Sequence, residues 1–332
     1  MRDRVFTIAK IAITFGLIAY VFSKVDLQAV ATSLLHANPW LVLLALLFYL
    51  IAIAINGVKW YVLLRAQEVM VPFRAVLQYM WVGVFFNNVF PANIGGDVMR
   101  GYGMARYTDR TAEAAVSVVV DRIIGLIAYM STAAVMAVII VTVMGYSNLR
   151  WLFYLAIVAL IAIAAALAVL LSRRLRTQVG RLFQFPLLAP FAPLYQGVSD
   201  AFDAYRTHSG SLVLAFGIAL TGLMSANIVN WLLFQATGGG VPFLYVLLFN
   251  PLIALVLLVP ISVGGHGVIQ GAYPFFYGLV GVPEIQAVAV SVLMSFIIIM
   301  GSLPGGVLWW RNRGASSDSS DSPTVTASQP SG

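Results

Sequence analysis

The chain has 332 residues, of which 61% are hydrophobic and only 9% are charged, and its net charge is +7. A water-soluble domain carries roughly a quarter charged residues, so this composition excludes a soluble protein and indicates one that lies in a bilayer. The positive charges stand at the ends of apolar runs and form no stripe with interleaved aromatics, which excludes nucleic acid as the expected partner. The absence of cysteine excludes disulfides, thiolate nucleophiles and Cys-type zinc sites.

The apolar runs predict a series of membrane helices, because a hydrocarbon core about 30 Å thick needs about 20 apolar residues per crossing. Full spans are predicted at 5–23, 40–64, 117–144, 151–171, 211–236, 242–260 and 286–310. Two shorter segments, 76–91 and 267–282, are marginal, since a helix of about 16 residues reaches only about 24 Å. The predicted fold class is an all-α integral membrane protein: a polytopic bundle of about eight transmembrane helices with short re-entrant or broken helices.

Lysine and arginine give the expected orientation. If 76–91 is re-entrant and 267–282 crosses, nearly all of them fall on one side and the other side holds only Lys24 and Arg150. The positive-inside rule then predicts eight crossings of the inner or plasma membrane, with both termini cytoplasmic. Residues 1–313 are expected to form one membrane domain, and the Ser-, Pro- and Asp-rich residues 314–332 a disordered cytoplasmic tail.

The first segment with chemical potential runs from Asn88 to Arg100. Pro91 should halt the short helix before it, and Gly95-Gly96 permits unusual backbone angles and close approach of a ligand. Asp97 can cap a new helix, with Arg100 one turn further on. These features predict a broken helix near membrane depth, edged by a carboxylate and a guanidinium. An ordinary helix end with a surface ion pair is the alternative interpretation.

A second segment repeats the same skeleton. Pro260 and Pro91 are 169 residues apart, and each is followed by three residues and a Gly-Gly pair, here Gly264-Gly265. Paired interruptions in corresponding halves indicate a transporter site, so an internal repeat is possible, in parallel or inverted orientation. His266 follows directly, either as a hydrogen-bonding group at a helix end or as a proton carrier.

Further ionisable and polar residues occur inside the predicted spans. Asp121-Arg122 opens 117–144, where it either faces a cavity or a partner, or lets Arg122 snorkel to the interface. Lys59 is expected to snorkel to the cytoplasmic side. Asn227 and Asn230 are expected to form hydrogen bonds between helices.

Over residues 5–310 the chain resembles the flippase-like family named for the transmembrane region of lysylphosphatidylglycerol synthase. The resemblance rests on the order and spacing of Asn88…Pro91…Gly96-Asp97…Arg100, Asp121-Arg122 and Pro260…Gly264-Gly265-His266-Gly267. Gln270 stands where the family pattern often has an acid. The resemblance implies two re-entrant elements meeting near the membrane centre, and lipids with bulky polar heads as partners. A lysyltransferase member has a further soluble catalytic domain; with only a short tail after Gly314, aminoacyl transfer is not expected.

The leading functional hypothesis is therefore translocation of an anionic or glycosylated lipid. Arg100, Arg122 and the backbone N–H groups of both Gly-Gly turns would bind the phosphate, and Asp97 would hold Arg100. The alternatives are an intramembrane glycosyl- or phosphotransferase acting on a polyprenyl lipid, and an accessory subunit with a partner enzyme in envelope lipid synthesis. We expect no cofactor or metal, because the sequence has no P-loop, nucleophile motif or metal-ligand spacing.

Overall fold

The protein is all-helical in its computed structural model. The structure describes residues 16, 19, 23, 25–90, 95–143, 151, 154, 157–162, 164–165, 174, 178–179, 196, 200, 203–205, 208–257, 262 and 264–317. Nine helices have both ends within these residues: α1 (Leu27–Leu35), α2 (Pro39–Ala66), α3 (Phe73–Val89), α4 (Gly95–Thr108), α5 (Thr111–Val143), α6 (Ser209–Ala236), α7 (Phe243–Val256), α8 (Val268–Gly278) and α9 (Glu284–Ser317). The described residues contain no strand, which confirms the predicted class. The predicted spans 5–23 and 151–171 lie largely outside them, as do Pro91 and Pro260.

Four helices, α2, α5, α6 and α9, are long and apolar enough to cross a membrane. At 1.5 Å per residue, the 28 residues of α2 extend about 42 Å, more than the hydrocarbon core. The start of α2 follows from its sequence, because Asn38 caps it by accepting from the Trp40 N–H and Pro39 has no N–H to satisfy. The chain is therefore a multi-pass membrane protein, as its composition indicates.

The helices α3 and α4 form a hairpin that returns to the side from which it enters. The α3 backbone at Gly83 packs on Gly96 of α4. Beyond the exit of the hairpin, Arg110 Nη1 donates to the carbonyl oxygen of Glu68 before its entry, at 3.1 Å. With 17 and 14 residues, the two helices reach about 26 and 21 Å, less than the core thickness. This geometry agrees with the prediction that 76–91 is re-entrant.

The helices α7 and α8 form a second hairpin, where the sequence predicted a full span at 242–260 and a crossing at 267–282. Phe249 of α7 packs on Tyr277 near the end of α8, with ring centroids 5.4 Å apart. Gln286 Nε2, just after the hairpin, donates to the carbonyl oxygen of Gly239 just before it, at 2.9 Å. Both crossings were therefore wrong. Gly264 and Gly265, whose φ angles of 59° and 78° suit glycine, lie between the two helices and so divide the long apolar stretch.

The two halves of the bundle are related as an inverted repeat. α2 and α6 each have 28 residues, and each is followed by a Val-Pro-Phe turn whose proline has ψ 142°. A hairpin and a long helix then follow in both halves. α2 and α6 run antiparallel, because Asn38 N at the start of α2 donates to the Ala236 carbonyl at the end of α6. At the opposite end, Gln67 Nε2 donates to the Ala204 carbonyl ahead of α6. The two hairpins therefore enter from opposite faces of the membrane. The sequence had left open whether the repeat is parallel or inverted.

The two hairpins approach each other at Asn88 and Gly264. A Cβ atom added to Gly264 would lie 3.2 Å from the carbonyl oxygen of Asn88 and 3.4 Å from its Cα. This contact agrees with the meeting of two re-entrant elements that the resemblance implies. At the C-terminal end, α9 continues to Ser317, a few residues beyond the predicted start of the tail at Gly314.

Candidate functional site

A cavity of about 420 Å³ lies between the two halves. Its wall on α2 is a stripe of Tyr49, Ala52, Asn56 and Lys59, which share one helical face at intervals of three or four residues. Corresponding stripes come from α5 and α6, and both hairpins contribute. From Lys59 to Tyr49 the stripe extends about 15 Å along α2, half of the hydrocarbon thickness. The cavity therefore runs through the middle of the bundle.

Five ionisable side chains form a connected cluster at one end of the cavity. Asp121 pairs with Lys59 at 3.1 Å and with Arg100 at 2.7 Å. Asp97 pairs with Arg100 at 3.0 Å and also with Arg122. Lys59, Arg100 and Asp121 are at most 4% exposed, whereas the Arg122 side chain is 36% exposed. Arg122 is therefore the most accessible cation of the cluster.

Neighbouring aromatic and hydroxyl groups fix Arg100. Its guanidinium carbon lies 4.9 Å from the ring centroid of Trp60, a distance typical of cation–π contact. Trp60 in turn donates through Nε1 to Ser117 Oγ at 3.0 Å. Both carboxylates and the indole hold Arg100 in place. It therefore lies at the centre of a buried cluster and is not part of the surface ion pair of the alternative interpretation.

Gly96 brings this cluster together, for a different reason from the one the sequence suggested. Gly95 and Gly96 have helical backbone angles at the start of α4, and neither has a positive φ. A Cβ atom on Gly96 would overlap the carbonyl oxygen of Gly83 and lie 2.6 Å from Asn87 Cγ. Asp97 is not a cap, since it lies within the first turn of α4, where its carboxylate faces the two arginines. Glycine is thus needed for close helix packing.

The cluster has an excess of positive charge. Among the described residues, three cations face two carboxylates, which gives +1 when all five are ionised. The three cations line the cavity, and charge taken out of water is costly unless it is paired, so the cavity favours an anion. Asn88 Nδ2 adjoins the same cavity, is buried, and has no hydrogen-bond partner among the described residues. It is an available donor for such an anion.

The other end of the cavity is lined by neutral polar groups. Asn250 Nδ2 donates to Asn227 Oδ1 at 2.9 Å, joining α7 to α6. The Tyr273 hydroxyl donates to Asn230 Oδ1, joining α8 to α6. The predicted interhelical role of Asn227 and Asn230 is confirmed. Asn250, Asn230 and Tyr273 line the cavity.

The prediction for Lys59 needs correction, and four predicted site residues lie outside the cavity lining. Lys59 does not snorkel, because Asp121 holds it in the interior. His266, Gly95 and Gly265 are not among the residues that line the cavity. Gln270, also outside the lining, accepts from the Gly267 N–H at 2.6 Å and donates to Ser295 Oγ at 3.0 Å, so it secures the hairpin turn. The predicted residues that the cavity brings together are Asn88, Gly96, Asp97, Arg100, Asp121, Arg122 and Gly264.

The sequence analysis missed Asn56, Asn87, Asn250 and Tyr273 at the site. Asn56 lies three residues before Lys59, so the helical stripe on α2 was the signal that would have found both. Asn250 and Tyr273 show no comparable signal, because only the second hairpin brings them to the cavity. Within the described part of the chain, no three His, Asp or Glu side chains converge as metal ligands.

Comparisons with known proteins show similarity to membrane proteins. The sequence profile of the lysylphosphatidylglycerol synthase transmembrane region matches residues 7–305. A UPF0104 membrane protein of Pyrococcus horikoshii is 24% identical, covering 84% of this chain and 89% of the relative. A UPF0104 membrane protein of Methanothermobacter thermautotrophicus is 26% identical, covering 80% of this chain and 84% of the relative. With nearly its whole length matched, the chain belongs to the family of the lysylphosphatidylglycerol synthase transmembrane region.

Proposed function

We propose that this protein translocates an anionic or glycosylated membrane lipid. The head group enters the cavity between the hairpins while the acyl chains stay in the bilayer. The observation that supports this most directly is the charged cluster, whose three cations exceed its two carboxylates at membrane depth. Ionisable groups inside a membrane are costly and mark substrate pathways.

The inverted repeat supports the same proposal. Transporters built from inverted repeats bind their substrates near the bilayer midplane, between discontinuous helices. Here Asn88 of the first hairpin and Gly264 of the second meet beside the cavity. In the proposed cycle the two hairpins open alternately to opposite faces of the membrane. In the proposed orientation both chain termini are cytoplasmic.

Reconstitution into liposomes tests this function. Fluorescent phosphatidylglycerol is incorporated in both leaflets, and a membrane-impermeant quencher reports exchange between them. Mass spectrometry of the same vesicles reports any new lipid. We expect accelerated exchange and no new product. A new lipid product would instead support the intramembrane transferase.

A matched pair of variants tests the role of the cluster. Arg122→Gln removes the most accessible cation and should abolish exchange, whereas Arg65→Gln should retain it. Arg65 is an exposed control that donates to the Tyr61 hydroxyl on its own helix and does not line the cavity. Normal exchange by Arg122→Gln would mean that this arginine only anchors its helix at the membrane interface. Arg100 is a poorer test, because its loss also removes one ion-pair partner from each of the two carboxylates.

A further inference from the structure

Two of the helices that line the cavity continue beyond it toward the face from which the first hairpin enters. On α2 the lining stripe ends at Lys59, and Leu63 lies one turn further toward this face. On α6 the lining stripe ends at Ala219, and Ala215 lies one turn further toward the same face. A passage from this face to the charged cluster would therefore run past Leu63 and Ala215.

The side chain of Tyr205, just ahead of α6, lies where this passage would open. It is fully buried in an apolar cluster with residues of α2, α5 and α6. The cluster includes Leu63 of α2, Ile124 and Ala128 of α5, and Ala215 and Ala219 of α6. Ala128 and Ala219 also line the cavity, so the cluster adjoins the charged end directly. The space between the three helices is thus closed around one aromatic side chain.

Two hydrogen bonds hold this tyrosine and its backbone against the end of α2. The Tyr205 hydroxyl donates to the carbonyl oxygen of Leu63 at 2.9 Å. That carbonyl lies in the last turn of α2, where intrahelical donors run out, and the Gln67 N–H donates to Leu64 instead. Gln67 Nε2 donates to the carbonyl oxygen of Ala204 at 3.0 Å. Tyr205 can therefore withdraw without breaking the backbone ladder of α2, α5 or α6.

The corresponding position in the other half of the repeat is not used in this way. Tyr205 stands four residues before Ser209, the first residue of α6, and Leu35 stands four residues before Pro39, the first residue of α2. Leu35 is 85% exposed. At that end the helices themselves close the bundle, with Ala45 of α2 and Leu233 of α6 fully buried in its core.

We propose that Tyr205 is the gate of the cavity on the face of the first hairpin. Its withdrawal from Leu63 opens a passage between α2, α5 and α6 to the charged cluster. A single side chain held by one hydrogen bond is displaced at lower cost than packed helices, so this face opens more readily than the opposite one. The closure is a property of the fold, and the inference rests on the proposed function only in naming a lipid head group as what passes.

The accessibility of a cysteine inside the cavity tests the gate in the full chain, which has no cysteine of its own. Ala226→Cys lines the cavity seven residues beyond Ala219, about 10 Å deeper. An anionic, membrane-impermeant methanethiosulfonate reagent is added to vesicles from the face on which Glu68→Cys reacts. We expect Tyr205→Phe to speed the labelling of Ala226→Cys about fivefold, the factor that corresponds to one net hydrogen bond, and Tyr205→Ala to speed it more. Unchanged rates in both variants would overturn the proposal.

Two controls separate opening of the gate from general loosening of the bundle. Tyr102→Ala removes a tyrosine that is 56% exposed and does not line the cavity, so it should leave the labelling rate of Ala226→Cys unchanged. Ala45→Cys, at the opposite end, should stay unreactive in the Tyr205→Ala background. Equal acceleration at Ala45→Cys and Ala226→Cys would refute a local gate.

The liposome exchange assay separates this inference from the proposed function. Faster labelling in Tyr205→Phe, in a protein that exchanges no lipid, would contradict translocation and leave the gate standing. Unchanged labelling in Tyr205→Phe and Tyr205→Ala, in a protein that exchanges lipid normally, would refute the gate and leave translocation standing.

Discussion

Loss of the Asp121 charge should destabilise the buried cluster more than loss of any other charge in it. Asp121 pairs with Lys59 and Arg100, and both it and Lys59 are 4% exposed. In Asp121→Asn the shape is kept, but Lys59 loses its ion-pair partner and the excess charge of the cluster rises from +1 to +2. Removal of one partner from a buried ion pair costs about 3–5 kcal/mol. We expect a loss of stability of that size.

Lys59→Met should be milder. It leaves Asp121 paired with Arg100 and lowers the excess charge of the cluster to zero. The double variant returns the excess to +1, so it should be more stable than Asp121→Asn alone. The two substitutions are therefore expected to be non-additive, as for residues in one network.

Equilibrium unfolding by SDS in mixed micelles, followed by the fluorescence of the 7 tryptophans, measures these free energies. Asp26→Asn is the matched control, since Asp26 is an exposed N-cap of α1 and asparagine caps about equally well. The reasoning fails if Asp121→Asn unfolds like wild type, or if Lys59→Met does not restore stability in its background.

Three further predictions concern the hairpins. Gly96→Ala should destabilise the protein by about 1–3 kcal/mol in the same unfolding assay, because its Cβ overlaps the Gly83 carbonyl; Gly217→Ala, with open space around it, should not destabilise the protein. Cysteines that replace Asn88 and Gly264 should form a disulfide in this cysteine-free chain, detected by a mobility shift on gels. Failure to form the disulfide would mean that these two positions are not in contact. Single cysteines at the mouth of the first hairpin should react with an impermeant thiol reagent from one side of the membrane, and those at the mouth of the second from the other; labelling of all four from the same side would contradict the inverted repeat. The positions are Glu68 and Asp109 for the first, and Gly238 and Gly281 for the second.

The sequence by itself determined that this protein lies in a lipid bilayer and that it contains long membrane-spanning helices. Apolar runs long enough to span the hydrocarbon core leave few alternatives, since a helix is the structure that satisfies every backbone group within one segment in lipid. The breaks near Gly95 and Gly264 were also recognisable from the sequence, because a proline followed by a glycine pair stands out in an otherwise uniform apolar sequence. The re-entrant first hairpin followed from the distribution of arginine.

The tertiary structure decided what local pattern does not encode. Whether 242–260 crosses depends on where the chain reverses, and an apolar stretch divided by a turn has the same hydropathy as one that continues. Lys59 near a helix end has the sequence context of a snorkelling residue, and only Asp121 on another helix makes burial the more stable choice. Asn250 and Tyr273 reach the cavity through the antiparallel packing of the two halves. Partners far apart in sequence fix these outcomes, because electrostatic and hydrogen-bond energies depend on distances that only the folded chain defines.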